Sequence, residues 1–288
     1  MVKFLLIFSL LFFTLNAEEN IPSNSIEEMV IEEDPLVSKI KSFLDESTYI
    51  NNEEFIDVIF DPKSAFYKND RVDSLKVVQT LKENGLLQLF FKKPQEFQLN
   101  FKTSGAPLFF VKLMGDTLRN IGYYRYVTRA SNLDSSEFTW SISLTSEYAT
   151  DPLILENELN KSACKVIDIE RNSAYEWTYV VDMSSAYLNI VKLQPNHQSR
   201  LKRSLYAHWI NVSKIKKLTI TSSRRNSWYP YIAFYDASLH LLKVVREDEI
   251  YHKLTLEIPR NTKYLKISDL YTLKNVRDEL ALYPSGSK

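Results

Sequence analysis

Between residues 138 and 145 the chain reads Phe-Thr-Trp-Ser-Ile-Ser-Leu-Thr, a strict alternation of large apolar and small hydroxyl side chains. Successive side chains of an extended strand point to opposite faces, so this stretch is predicted to be a β-strand with one face buried and the other wet. Phe138, Trp140, Ile142 and Leu144 form the buried row, and Thr139, Ser141, Ser143 and Thr145 the other. Residues 97–102 repeat the theme, with Phe97, Leu99 and Phe101 alternating with Gln98, Asn100 and Lys102. Between the two strands, Phe110, Val111, Met114, Leu118 and Ile121 recur at three- and four-residue steps. That spacing predicts an amphipathic helix, weakened by Gly115 and stopped at Gly122. Residues 123–129 then read as an aromatic-rich extended run and residues 132–136 as a turn, which makes a hairpin into the 138–145 strand.

Asp151 followed by Pro152 is a helix start. The carboxylate caps free amides, and the missing proline donor costs nothing at the first helical position. Ile167 and Ile169, opposed by Val166, Asp168 and Glu170, predict the next strand. Trp177, Tyr179 and Val181, opposed by Thr178, Val180 and Asp182, predict the last, expected as an added edge strand. The order βαββαβ over residues 97–182 resembles the ferredoxin-like split βαβ arrangement, which implies an antiparallel sheet with helices on one face. Ferredoxin-like sheets host many activities, so the resemblance says nothing about function.

Around this unit the chain divides into residues 1–17, 18–95, 96–186 and 200–288. Lys3, the apolar run 4–13 and Ala17 have the charged start, apolar middle and small last residue of a secretory signal peptide, with cleavage expected after Ala17. The run is short for a membrane span, and no later segment is both long and apolar enough, so the mature chain is expected to lack a transmembrane segment. Export with one cysteine and no wall-attachment motif points to a bacterial periplasm. Residues 18–95 form an acidic leader and a helical lead-in. Helices are expected at 36–44 and 73–84, residues 86–91 look extended, and residues 55–60 suit either strand or helix.

Residues 200–288 are predicted as an all-β sandwich, so the expected fold class is α+β, the ferredoxin-like sheet followed by the sandwich. Short extended runs fall at 205–209, 218–221, 231–235, 241–245, 254–258 and 264–267, separated by turn signals. The stretch YIAFYDASLHLLK, followed by LTLEIPRNTKYLKI, resembles a jelly-roll of the galactose-binding-like kind. With its signal peptide and tandem small modules, the whole chain is similar to periplasmic proteins of bacteria with elaborate polar flagellar motors.

Charge is neutral in sum and uneven in place. Residues 18–65 hold 13 acidic and three basic side chains, whereas residues 183–235 hold nine Lys or Arg and no acid. Such asymmetry lets the two ends attract one another or meet different partners, and it is equally what two solvated surfaces produce.

Chemistry is harder to find. Five glycines argue against glycine-rich phosphate loops, which need close backbone approach to an anion. His197, His208, His240 and His252 include no helical i, i+4 pair, and a single cysteine supplies no sulfur pair, so no metal and no cofactor is expected. The serine hydrolase elbow is absent. Cys164 reads as a free, half-buried thiol. Glu147 and Asp151 offer a carboxylate pair, but capping a helix already explains Asp151.

The most suggestive cluster is Arg224, Arg225, Asn226, Trp228, Tyr229 and Tyr231. Forked donors beside flat rings suit stacking on sugars, pairing with carboxylates of peptidoglycan peptides, or anchoring a protein interface. They equally suit a loop whose rings cover the sandwich edge. The expected function is that of a non-catalytic periplasmic interaction or scaffold protein with an envelope protein partner, in a large assembly such as the flagellar motor. A carbohydrate or peptidoglycan binder and an envelope hydrolase are the alternatives. Nucleic acid is a poor partner for an exported neutral chain.

Overall fold

Among the described residues four α-helices precede the first long strand: α1 (Pro35–Phe43), α2 (Glu46–Asn51), α3 (Glu53–Ile59) and α4 (Ser74–Glu83), with a small hairpin, β1 (Tyr67–Lys68) and β2 (Arg71–Val72), between the last two. These come from a computed structural model that describes residues 33–288. The expected signal segment and the acidic leader as far as residue 32 lie outside the described residues. The ambiguous run 55–60 is helical, burying Ile56 and Phe60 while Phe55 and Val58 face out. Asp73 caps α4, its carboxylate accepting from the Lys76 amide at 3.1 Å.

The central unit follows as β3 (Phe90–Thr103), α5 (Pro107–Asn120), β4 (Val127–Leu133), β5 (Phe138–Tyr148), α6 (Pro152–Asn160), β6 (Lys165–Ser173) and β7 (Glu176–Asp182). Asp151 caps α6 as expected, accepting from the Leu153 amide at 3.0 Å. The five strands lie in the order β4-β5-β3-β7-β6. One expectation is corrected here. The last strand, β7, is not at the edge but between β3 and β6, parallel to β3 and antiparallel to β6. Burial explains the exchange. Trp177, Thr178, Tyr179 and Val181 are all buried, so β7 has apolar mass and small side chains suited to the interior. Charged Lys165, Asp168, Glu170 and Arg171 suit β6 to an edge, where charge discourages further pairing. The ladder of β6 also shifts between Val166 and Asp168, so Ile167 turns outward instead of sharing a side with Ile169.

Phe97, Leu99, Phe101, Trp140, Ile142, Trp177 and Tyr179 from one sheet face join residues of α1, α4, α5 and α6 in one core. Phe101 stacks on Tyr179 at 5.8 Å, and Tyr179 on Trp177 at 6.4 Å. The opposite sheet face is polar and bonded to itself. Asn100 donates to Glu176 at 2.8 Å, Gln98 donates to Glu176 at 3.1 Å, and the Thr178 hydroxyl donates to Asn172 at 2.7 Å.

Eight more strands complete the chain: β8 (Ser199–Leu201), β9 (His208–Asn211), β10 (Ile215–Ser222), β11 (Pro230–Tyr235), β12 (Leu241–Arg246), β13 (Lys253–Glu257), β14 (Tyr264–Asp269) and β15 (Leu280–Ser287). They form two antiparallel sheets, β13-β10-β15-β8 and β12-β11-β14-β9. Both sheets feed a second core, with Leu218, Ile220 and Leu282 from one and Ile232, Phe234 and Ile267 from the other. The first and last strands pair side by side, and the strand order is that of a jelly roll.

Residues Pro35–Lys288 make one compact unit. Tyr264 of β14 and Leu239 belong to the first core, and Phe109 of α5 meets Tyr264 at 6.3 Å between ring centres. No helix among the described residues is long and apolar enough to cross a membrane. The interior position of β7 has a direct test in equilibrium urea unfolding. Trp177→Ala should cost about 3–5 kcal/mol, as large-to-small core changes do. Ile167→Thr, on the exposed side of the edge strand, should cost less than about 0.5 kcal/mol. Equal losses would contradict the strand order.

Candidate functional site

The cluster singled out in the sequence lies where β10 passes to β11, and the structure divides it. Trp228 is fully buried in the second core, with Nε1 donating to the Ser268 carbonyl at 3.0 Å. Asn226 is also buried; its amide donates to the Ser222 hydroxyl at 3.1 Å, and its oxygen accepts from the Asp278 amide at 2.7 Å. Neither side chain has a face to offer a ligand, which corrects the expectation for both. Arg225 pairs with Asp278 at 2.7 Å, Tyr229 packs edge-on against Tyr271, and Tyr231 is half-buried on β11. Arg224 is exposed. What remains is a loop whose ring covers the sandwich, with its arginines at the rim.

Cys164 is fully buried, not half-buried. Burial, helped by the carboxylates of Asp182 and Glu156, pushes its thiol up to about 12 and keeps it protonated. Asp151, besides capping α6, forms an ion pair with Lys82. No group of three or more His, Cys, Asp or Glu able to hold a metal occurs among the described residues.

A larger site lies elsewhere, at the end of the five-stranded sheet. It is a slot of about 880 Å³ lined by Arg119 of α5, by residues 123–127, and by Arg129, Ser143, Leu144, Thr145 and Tyr206. The local sequence builds it. Residues 123–126, expected to begin the strand, form no regular element, and the pairing of β4 begins only at Val127, opposite Ser143. Gly115 makes room for the segment: a Cβ there would lie 3.3 Å from the Tyr126 hydroxyl. A glycine costs about 1 kcal/mol of helix propensity, and here the position takes a tyrosine against the helix instead. Tyr126 then packs edge-on against Trp140 at 5.7 Å, and burial raises its pKa.

Three arginines face this space in different states. Arg119 pairs with Asp116 at 3.0 Å and lies over the Tyr206 ring at 4.9 Å. Arg129 donates to the Ser143 hydroxyl at 2.7 Å and pairs with Glu96, whose carboxyl the Arg129 hydrogen bond holds below the usual range. Arg125 is exposed and has no hydrogen bond or ion pair among the described residues. Tyr124 beside it is 71% exposed. The structure thus concentrates arginine and tyrosine where the chain reads Tyr-Tyr-Arg-Tyr at residues 123–126. That tetrapeptide was the available signal; it read as part of an aromatic-rich strand.

Two further hollows adjoin the slot. Beyond the Arg119–Tyr206 contact, a groove of about 560 Å³ runs between α5 and the jelly roll, with Lys112, Lys266 and His208 in its walls. Lys112 pairs with Asp116 and sits 5.0 Å above the Trp209 ring, and burial lowers its pKa. On the other side of Tyr123, a recess of about 380 Å³ is lined by Leu89, Phe90, Ile121, Tyr148, Thr150 and Ile154 among others. The Thr150 hydroxyl is buried there. Burial raises the Tyr123 phenol pKa, against an opposing interaction with the Thr150 hydroxyl.

Burial also lowers the His208 pKa from the ordinary 6.5. The unfolded chain therefore takes up this proton first, and stability falls as pH drops from 6.5 toward the lowered value. Urea midpoints at about pH 7.5 and about pH 5.5 should show a larger loss for the wild type than for His208→Gln. Equal losses would mean that His208 titrates freely.

Compared with protein-family models, with curated proteins and with solved structures, the chain matches none.

Proposed function

We propose that this chain is a non-catalytic interaction protein of the bacterial cell envelope, exported to the periplasm, which binds a protein partner through the arginine–tyrosine slot. The observation that carries this reading is Arg125 beside Tyr124, exposed and unpaired between two arginines already fixed by neighbours. Arginine and tyrosine dominate the energetics of protein interfaces because each combines a flat, rigid contact area with directed donors. Pre-set geometry in Arg119 and Arg129 lowers the ordering cost of binding. Beside them the one carboxylate in the slot lining, Glu96, is engaged by Arg129. A large envelope assembly, such as a flagellar motor, is the setting that the expected export and the absence of a bound small molecule's chemistry in the sequence favour.

A second reading, carbohydrate or peptidoglycan binding, draws on the same exposed Tyr124 ring, which suits stacking on a sugar. Crosslinking in the native cell followed by purification separates the two. The protein reading expects one stoichiometric envelope protein, lost when Tyr124→Ala is combined with Arg125→Glu; both positions are exposed, so the fold should hold. Retention of the partner by that variant would overturn the slot as its site. Sedimentation with purified cell wall, abolished by the same variant, would establish the glycan reading instead.

A further inference from the structure

β5 is longer than its neighbour. β4 stops pairing with it at Ser143, yet β5 continues through Tyr148, and over residues 144–148 only β3 pairs with it. The edge of β5 on the β4 side is therefore open over residues 144–147, while the Tyr148 amide is taken by the Ser146 hydroxyl at 3.0 Å. The chain that could have filled it leaves as residues 124–126, which make no backbone–backbone hydrogen bond among the described residues. An exposed strand edge with unpaired amides and carbonyls is a template for another extended segment. The opposite edge of the sheet is different, because α1 and α4 pack against β6.

Three observations say what such a segment would carry. The slot beside this edge holds three arginines, of which Arg119 is paired with Asp116 and Arg129 with Glu96, which leaves Arg125 over. Arg125 has no partner, so an incoming carboxylate would complete a pair without breaking one. Tyr123 lines both the slot and the apolar recess, so the two are neighbours across this residue. In that recess the Thr150 hydroxyl is buried beside the Tyr123 phenol, and Leu89, Ile121 and Ile154 give the walls an apolar surface. Phe90 and Tyr148, more than half exposed and 5.3 Å apart, stand at its mouth.

Resting on the interaction reading above, we infer that the slot receives an extended acidic segment of a partner protein, which adds alongside residues 144–147 of β5. Its carboxylates meet Arg125 and Arg119, and one large apolar side chain enters the recess next to Thr150. Backbone pairing supplies affinity, and the alternate side chains supply choice of sequence.

The full chain, immobilised, is exposed to a phage-displayed library of random linear peptides. Enriched peptides should combine acidic residues with one aromatic or large aliphatic residue. Made synthetically, they should bind at least about tenfold more weakly to Arg125→Glu and to Ile154→Glu, two exposed positions whose charge opposes the segment or its apolar side chain. Methylating alternate backbone nitrogens of the peptide should abolish binding while leaving every side chain in place. Enrichment without acidic residues, unchanged affinity in both variants, or binding that survives methylation would each overturn strand addition, as would displacement of the peptide by soluble peptidoglycan fragments. If the envelope partner is still lost from the Tyr124→Ala, Arg125→Glu variant in that case, the interaction reading stands and only the strand is wrong. If the partner is also retained, both fail.

Discussion

Helix α5 is buried from two sides, and the candidate site exists because of it. Phe110, Met114 and Leu118 enter the core under the five-stranded sheet with no exposed surface. The other flank turns Phe109 to Tyr264, Lys112 to Trp209 and Arg119 to Tyr206, three rings of the C-terminal half of the chain. A cation held over a ring contributes about 0.5–2 kcal/mol depending on how dry the contact is, and burial of Phe109 adds apolar area to the same seam. Asp116 joins the two cations by pairing with both. The jelly roll is thus seated on a helix flank that is charged and aromatic at once. Tyr206, carried on the approach to β9, becomes one wall of the slot.

Much of the architecture was legible because local chemistry and burial agreed. Asp73, Asp151 and Pro152 start helices where their capping groups say they should, and the alternation of residues 138–145 gives the central strand β5 directly. Order within the sheet was less accessible. Alternation in residues 176–182 reveals a strand, but only burial of Thr178 together with Trp177 and Tyr179 shows that both its faces and both its edges are covered. The two jelly-roll strands missed, β8 and β15, pair with one another. β15 carries Pro284 and Gly286 among serines, so its composition reads as a tail, while Leu280 and Leu282 are core residues.

The site was misread for a related reason. Residue type cannot separate a tryptophan that offers its ring from one that fills a core, and Trp228 satisfies its single donor internally at Ser268. A run of residues 123–126 could not announce that it fails to pair, since pairing depends on where β5 ends and on the space left by Gly115. Nor does polarity alone mark a site. The outer face of the five-stranded sheet is as polar as the slot, but Gln98, Asn100, Glu176, Thr178 and Asn172 bond one another and leave little to recruit a ligand. Unpaired Arg125 beside the open edge of β5 is what distinguishes the slot.

Central to this account is that α5 couples the two cores, so that the slot is a fixed feature of the fold and not a gap between independent modules. Native-state amide hydrogen exchange across the whole chain tests this most directly, because it reports which elements open together. The account predicts that the α5 amides, the strands β3 and β7, and the strands β9 and β14 are protected to the same free energy and lose protection in one event. Opening of β9 and β14 at a distinctly lower free energy, with α5 and the five-stranded sheet still fully protected, would contradict it.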